Sequence, residues 1–182
     1  MNRRFAHICA VIVIILSAGA LMATINAPRH KYVGAARCSF CHSSSEMGDQ
    51  YGIWLVSKHG AALFALTSEK AKEYKKQKGV EDPLKDERCL KCHLTGYNAP
   101  FELLGPLYRK EDGVSCEGCH GAGGGYSFFS IMKDRSLAIG KGLVKSPEET
   151  CVACHTEEGH EIPPFDMKES MKKIEHLKPE KP

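Results

Sequence analysis

Cys38-Ser-Phe-Cys41-His42 is the stretch on which the reading of this chain turns, because its spacing returns three more times. The other copies are Cys89-Leu-Lys-Cys92-His93, Cys116-Glu-Gly-Cys119-His120 and Cys151-Val-Ala-Cys154-His155. Cys-x-x-Cys-His is the spacing of a c-type haem attachment site: two thiols form thioethers to the haem vinyl groups, and the adjoining imidazole becomes the proximal iron ligand. Eight of the nine cysteines fall in these motifs, leaving only Cys9. Four covalently bound haem c groups are therefore expected, attached through Cys38, Cys41, Cys89, Cys92, Cys116, Cys119, Cys151 and Cys154, with iron on His42, His93, His120 and His155.

Paired Cys-x-x-Cys units can also build a tetrahedral zinc site, but zinc gives no reason for a histidine directly after every pair. A disulfide framework fits poorly too, since two-residue spacing is typical of redox or ligand cysteines. The amino terminus has the pattern of an export signal. Arg3 and Arg4 precede an apolar run from Ile8 to Ala23, and Ala18-Gly-Ala20 offers a cleavage site. Residues 1–27 are thus read as a signal peptide, with an uncleaved membrane anchor as the alternative, because the run approaches the length that spans a bilayer. Cys9 and His7 are read as parts of this leader without further function. An exported protein, in the periplasm or at the cell exterior, follows.

Residues 28–182 then form one tetrahaem cytochrome c domain. The expected fold class is mainly α with long loops, a small multihaem domain whose core is largely haem, because so short a chain must let porphyrin faces supply much of its interior. Glu46 to Leu66 reads as one helix with Leu55, Val56, His59, Ala62 and Leu63 on a face. Glu69 to Lys78 reads as an exposed helix stopped by Gly79. Asn98 to Gly113 reads as loop or hairpin. Gly121 to Gly125 reads either as close backbone approach to a porphyrin or as a plain linker. A last helix is expected from about Asp166 to His176, and 177–182 as a loose tail. The formal charge of +3 falls to about +1 without Arg3 and Arg4, and propionates lower it further. No nucleic-acid partner is suggested.

The sixth iron positions decide the function. His30, His59, His160 and His176 remain as candidate distal ligands, with Met47, Met132, Met167 and Met171 as thioether rivals. Met167, Met171 and Ile174 fall on one helical stripe and are read as packing residues.

Trp54 with His59, Cys92-His93-Leu-Thr-Gly96-Tyr97, Gly113-Val-Ser-Cys116-Glu-Gly-Cys119-His120-Gly121 and Glu149-Thr-Cys151-Val-Ala-Cys154-His155 together carry a resemblance. Phe165-Asp166 leading to His176 adds a weaker match. From Tyr32 to His176 the chain resembles the tetrahaem cytochrome c-554 family of ammonia-oxidising bacteria, which takes electrons from hydroxylamine oxidoreductase. The resemblance implies His59 as distal ligand of the haem on His120, His176 as that of the haem on His155, and a five-coordinate haem on His93. The family's ligand for the first haem is a histidine soon after the third motif, and Gly121 to Ile131 contains none. The haem on His42 would then draw on His30, His160 or Met132, or stay open.

The expected function is electron transfer between donor and acceptor redox proteins outside the cytoplasmic membrane, since irons with two protein ligands exchange electrons without bond chemistry. One alternative is a small redox enzyme acting on nitric oxide, nitrite or hydroxylamine at an open iron; no acid–base cluster is evident in the sequence. The other is a subunit of an extracellular haem filament, with self-association through a histidine such as His30. Membrane association through the amino terminus goes with the uncleaved leader.

Overall fold

The computed structural model of the protein describes residues 30–144, 148–156 and 165–176. The leader 1–27, with His7 and Cys9, the tail 177–182 and His160 lie outside the described residues. Ten α-helices and several 3-10 turns make up the described chain, and no strands occur among them. The helices are α1 (Ala35–His42), α2 (Gln50–Leu55), α3 (Ala62–Ala65), α4 (Glu69–Lys78) and α5 (Glu87–His93), followed by α6 (Cys116–His120), α7 (Phe129–Met132), α8 (Arg135–Gly140), α9 (Glu148–Val152) and α10 (Met167–Ile174). The fold is mainly α with long connections, as expected from the sequence.

Local sequence explains where these helices start and stop. Ser68 caps α4 by accepting from the Ala71 N–H, and Gly79 ends it in a left-handed turn at φ 61°. Asp86 opens α5 and Asp166 opens α10 in the same way, each carboxylate accepting an N–H of the first turn. On α10 Met167, Met171 and Ile174 are half-buried while Lys168, Glu169, Lys172 and Lys173 are exposed, which is the expected stripe.

The single helix expected from Glu46 to Leu66 is instead broken into a 3-10 turn (Ser45–Met47), α2 and α3. Gly48 and Asp49 both take positive φ, 96° and 44°, which ends the first piece. After Leu55 the chain turns because the Ser57 hydroxyl accepts from Gly60 N–H and the Val114 N–H bonds the His59 carbonyl, drawing that backbone out of helix. His59 therefore stands in a turn, and Leu55 and Val56 are exposed rather than on a buried face.

Packing links distant motifs. α1 packs on α2 and on α6, α6 on α9, α3 on α5 and on the turn Lys110–Asp112, and α7 on α8. Trp54 is buried and its indole N–H donates to the Val114 carbonyl at 2.9 Å. The Asn98 to Gly113 stretch is loop with two 3-10 turns, joined to the amino-terminal segment by the parallel bridge between Tyr32 and Leu104. The Gly121 to Gly125 run is not a free linker. A Cβ on Gly124 would lie 2.7 Å from the Lys31 nitrogen, and one on Gly125 2.2 Å from the Lys141 carbonyl oxygen, so the run threads between two backbones.

Gly113 is the tightest of the loop constraints around His59. At φ 58° a Cβ there would stand 2.9 Å from the His59 carbonyl oxygen and 3.1 Å from the Ala62 nitrogen. Gly113→Ala should cost about 1–3 kcal/mol of stability and lower the thermal midpoint, measured by calorimetry on the haem-loaded protein; an unchanged midpoint would contradict this account of the turn.

Candidate haem sites

Each motif winds into one helical turn, so thiols three residues apart and the next imidazole share a side. In the fourth motif α9 continues only as a turn, held by the His155 N–H on the Cys151 carbonyl at 2.9 Å. His93 Nδ1 lies 2.6 Å from the Ala62 carbonyl oxygen. A carbonyl can only accept, so Nδ1 carries the proton and Nε2 keeps its lone pair for a metal. His42 Nδ1 is likewise 3.1 Å from Gln50 Oε1, while Gln50 Nε2 donates to the Met47 carbonyl and so fixes the amide's orientation.

Four further imidazoles meet in two pairs. The His59 and His155 ring centroids are 6.0 Å apart, and those of His120 and His176 are 6.5 Å apart. Two imidazoles on opposite sides of one metal, with metal–nitrogen bonds of about 2 Å, hold their centroids about 6 Å apart. The pairing is the reverse of that implied by the resemblance, which set His59 against His120 and His176 against His155. The cause is the local backbone: the His59 turn is pinned to Gly113 and Val114, and His176 lies beyond the Glu175 cap of α10, so its direction is not that of an ideal helix. Burial pushes all four imidazoles below their ordinary pKa, and neighbouring histidines add to this for His59, His120 and His176. They are thus neutral, the state in which histidine ligates. His176 Nδ1 is buried with no hydrogen-bond partner among the described residues. Phe165 stacks on His155 at 4.4 Å.

The motifs also lie against one another. The first motif helix packs on the third and the third on the fourth, and the Cys154 thiol, which burial pushes up to about 12, lies 3.8 Å from the Lys91 carbonyl oxygen inside the second. Cys119 lies within electrostatic reach of Cys151. The order of contact is therefore first, third, fourth, second. Glu117, which the sequence offered only as a motif spacer, is buried between the first and third.

Beside Cys89 and His93 lies a cavity of about 560 Å³, within the range of cofactor clefts, about 300–1,000 Å³. Apart from His93 its walls hold no histidine or methionine. Lys58, Lys70 and Lys75 at its walls can face propionates, and Glu73 and Tyr74 bring proton-bearing groups that sequence spacing did not reveal. Helix α4 read only as solvated, because nothing in its charge run says what it packs over.

His30 lies with one ring edge against Gly125 and the other against Gly142; Cβ atoms there would come 2.5 and 2.7 Å from the ring. Met132 is partly exposed on α7. Among the described residues no three or more His, Cys, Asp or Glu side chains gather as a cage for a free metal ion, which is what zinc would need. Paired imidazoles, an orphaned ring nitrogen and thiols in attachment spacing fit haem. So does the near absence of a side-chain core: the described chain has no completely buried large side chain.

Gln50 gives a direct test of the outer partners. Removing its acceptor in Gln50→Leu should make the His42 imidazole a weaker donor and raise the potential of one haem, whereas Gln50→Glu should lower it. Potentiometric titration reads both; equal potentials in all three proteins would show that Gln50 does not support His42.

Neither the curated proteins nor the solved structures searched gave a match. A family model described as cytochrome c554 and c-prime matches residues 37–121, which hold the first three attachment motifs, Trp54 and His59. The segment that carries these motifs is that of a c-type cytochrome of the cytochrome c554 family, an electron carrier with covalently bound haem c.

Proposed function

We propose that the chain is a tetrahaem electron carrier, exported from the cytoplasm and passing electrons between a donor and an acceptor protein. The observation that carries this reading is the pair of facing imidazoles, His59 with His155 and His120 with His176, at the separation of two axial ligands. Each bound haem c supplies a one-electron ferric–ferrous couple. The chain's residues would hold that couple without bond chemistry: His120 and His176 would hold the iron of the third haem, and His155 and His59 that of the fourth. His42, oriented by Gln50, and His93, oriented by the Ala62 carbonyl, serve as proximal ligands of the first and second. The packing of the motifs supports an electron path in the order first, third, fourth, second, with partner exchange at its two ends. His30, His160 and Met132 remain the candidates for the sixth position opposite His42. The leader 1–27 supports a periplasmic or external location.

The cavity beside His93 favours a second reading, a redox enzyme acting at an open iron on nitric oxide, nitrite or hydroxylamine. Glu73, Tyr74 and Lys75 at its walls could deliver protons, so turnover is the discriminating measurement. The carrier reading expects four haems retained by intact mass after acid-acetone extraction, at least two low-spin centres by electron paramagnetic resonance, and no sustained turnover. Rates on the order of 10 per second with any of the three substrates would replace it with the enzyme. Pigment released into the acetone would end both.

The ligand pairs have their own test. His59→Met and His176→Met should each raise the potential of one haem, and the double variant should raise two, because thioether in place of imidazole favours ferrous iron. If neither single variant moves any potential, the pairs are packing contacts.

A further inference from the structure

Glu117 sits inside the third attachment motif, three positions before His120, yet its bonds reach back to the start of the first. Its side chain is buried, the residue being 3% exposed. Oε1 accepts from the Val33 N–H at 2.8 Å and the Gly123 N–H at 2.7 Å, and Oε2 accepts from the Gly34 N–H at 2.8 Å. Val33 and Gly34 are the residues that open α1, whose own N-cap has no side-chain bond. All three partners are donors. Three N–H donors shared between the two oxygens favour the ionised carboxylate, which only accepts.

No lysine or arginine pairs with that charge among the described residues. The charged and titratable groups that face it are Asp112, of like sign and bonded weakly to the Ala35 N–H, the phenols of Tyr32, Tyr108 and Tyr126, and the Cys38 and Cys116 thiols. Burial pushes the carboxyl above its ordinary pKa, and the N–H donors offset part of that rise. A buried anion without a counter-charge is costly, and the positive charge of ferric iron in the two neighbouring sites is what can offset it.

We propose that Glu117 is a positioning residue for charge, placing one carboxylate between the haems attached at Cys38 and Cys116 and lowering the reduction potentials of both. This rests on the haem reading of the first and third motifs. An anion favours ferric over ferrous iron, so removing it makes both centres easier to reduce.

Glu117→Gln keeps the shape and removes the charge. In the haem-loaded protein, potentiometry should show two of the four centres shifted upward by about tenfold in their ferric–ferrous equilibrium, about 59 mV for one electron, and two unchanged. Glu117→Asp, which keeps the charge, should hold the pair closer to the original values. Four haems by mass with no potential moved, or with all four moved alike, would overturn the proposal; absence of haem would instead overturn the reading beneath it. If Glu117→Gln fails to retain its haems, Asp112→Asn leaves the three bonds intact, removes the neighbouring like charge and should raise the same pair by a smaller factor. No shift there would also overturn it.

Discussion

The described residues bury only eight apolar side chains, and four of these are Ala35, Ala62, Ala138 and Val80. Small side chains of this kind cannot close a core that offsets the entropy of ordering ten helices, most of them two turns or shorter. Everything else in the structure depends on that shortage. The polypeptide's own effort goes into local caps and into fixing one motif against another. Phe40, Phe64, Phe128 and Phe129, all exposed on the polypeptide, then have a physical reason to be there, since aromatic faces suit the flanks of a porphyrin.

The electrostatics follow the same division. Carboxylates and lysines on α4 and α10 form exposed i, i+3 pairs, Glu69 with Lys72 and Glu169 with Lys172, that add little stability. Polar groups that matter are buried singly and meet backbone: the Trp54 indole on Val114, the Tyr126 hydroxyl on Gly121, the Tyr108 hydroxyl on Thr95. A backbone partner is already fixed in place, so each such bond orders a side chain at small entropic cost and leaves the interior free of mobile charge.

The attachment sites, the caps at Gly79 and Asp166 and the Met167, Met171, Ile174 stripe could be read directly from residue spacing, because each depends on chemistry within a few positions. The break after Leu55 could not. It is imposed by Gly113 and Val114, more than fifty residues away, acting on the His59 carbonyl. The pairing of imidazoles escaped for the same reason: composition supplies enough histidines, but which ring meets which is set by where the His59 turn and the end of α10 come to rest. Glu117 and Gln50 gave no signal, since a spacer inside an attachment motif and a helix-start glutamine look ordinary until their distant or neighbouring partners are seen. The glycine run was visible as a feature, yet only the Lys31 and Lys141 backbones show what it makes room for.

The bonds from Glu117 to Val33 and Gly34 cross 84 and 83 positions of sequence, and the third goes to Gly123. A polypeptide is made amino end first, so α1 is complete long before the carboxylate that seats it exists. Once residue 123 has emerged, the same segment is drawn into a buried, long-range contact of the kind that forms slowly. High contact order here means that the seat of the first motif closes only when the third arrives, so the two ends of this stretch order together.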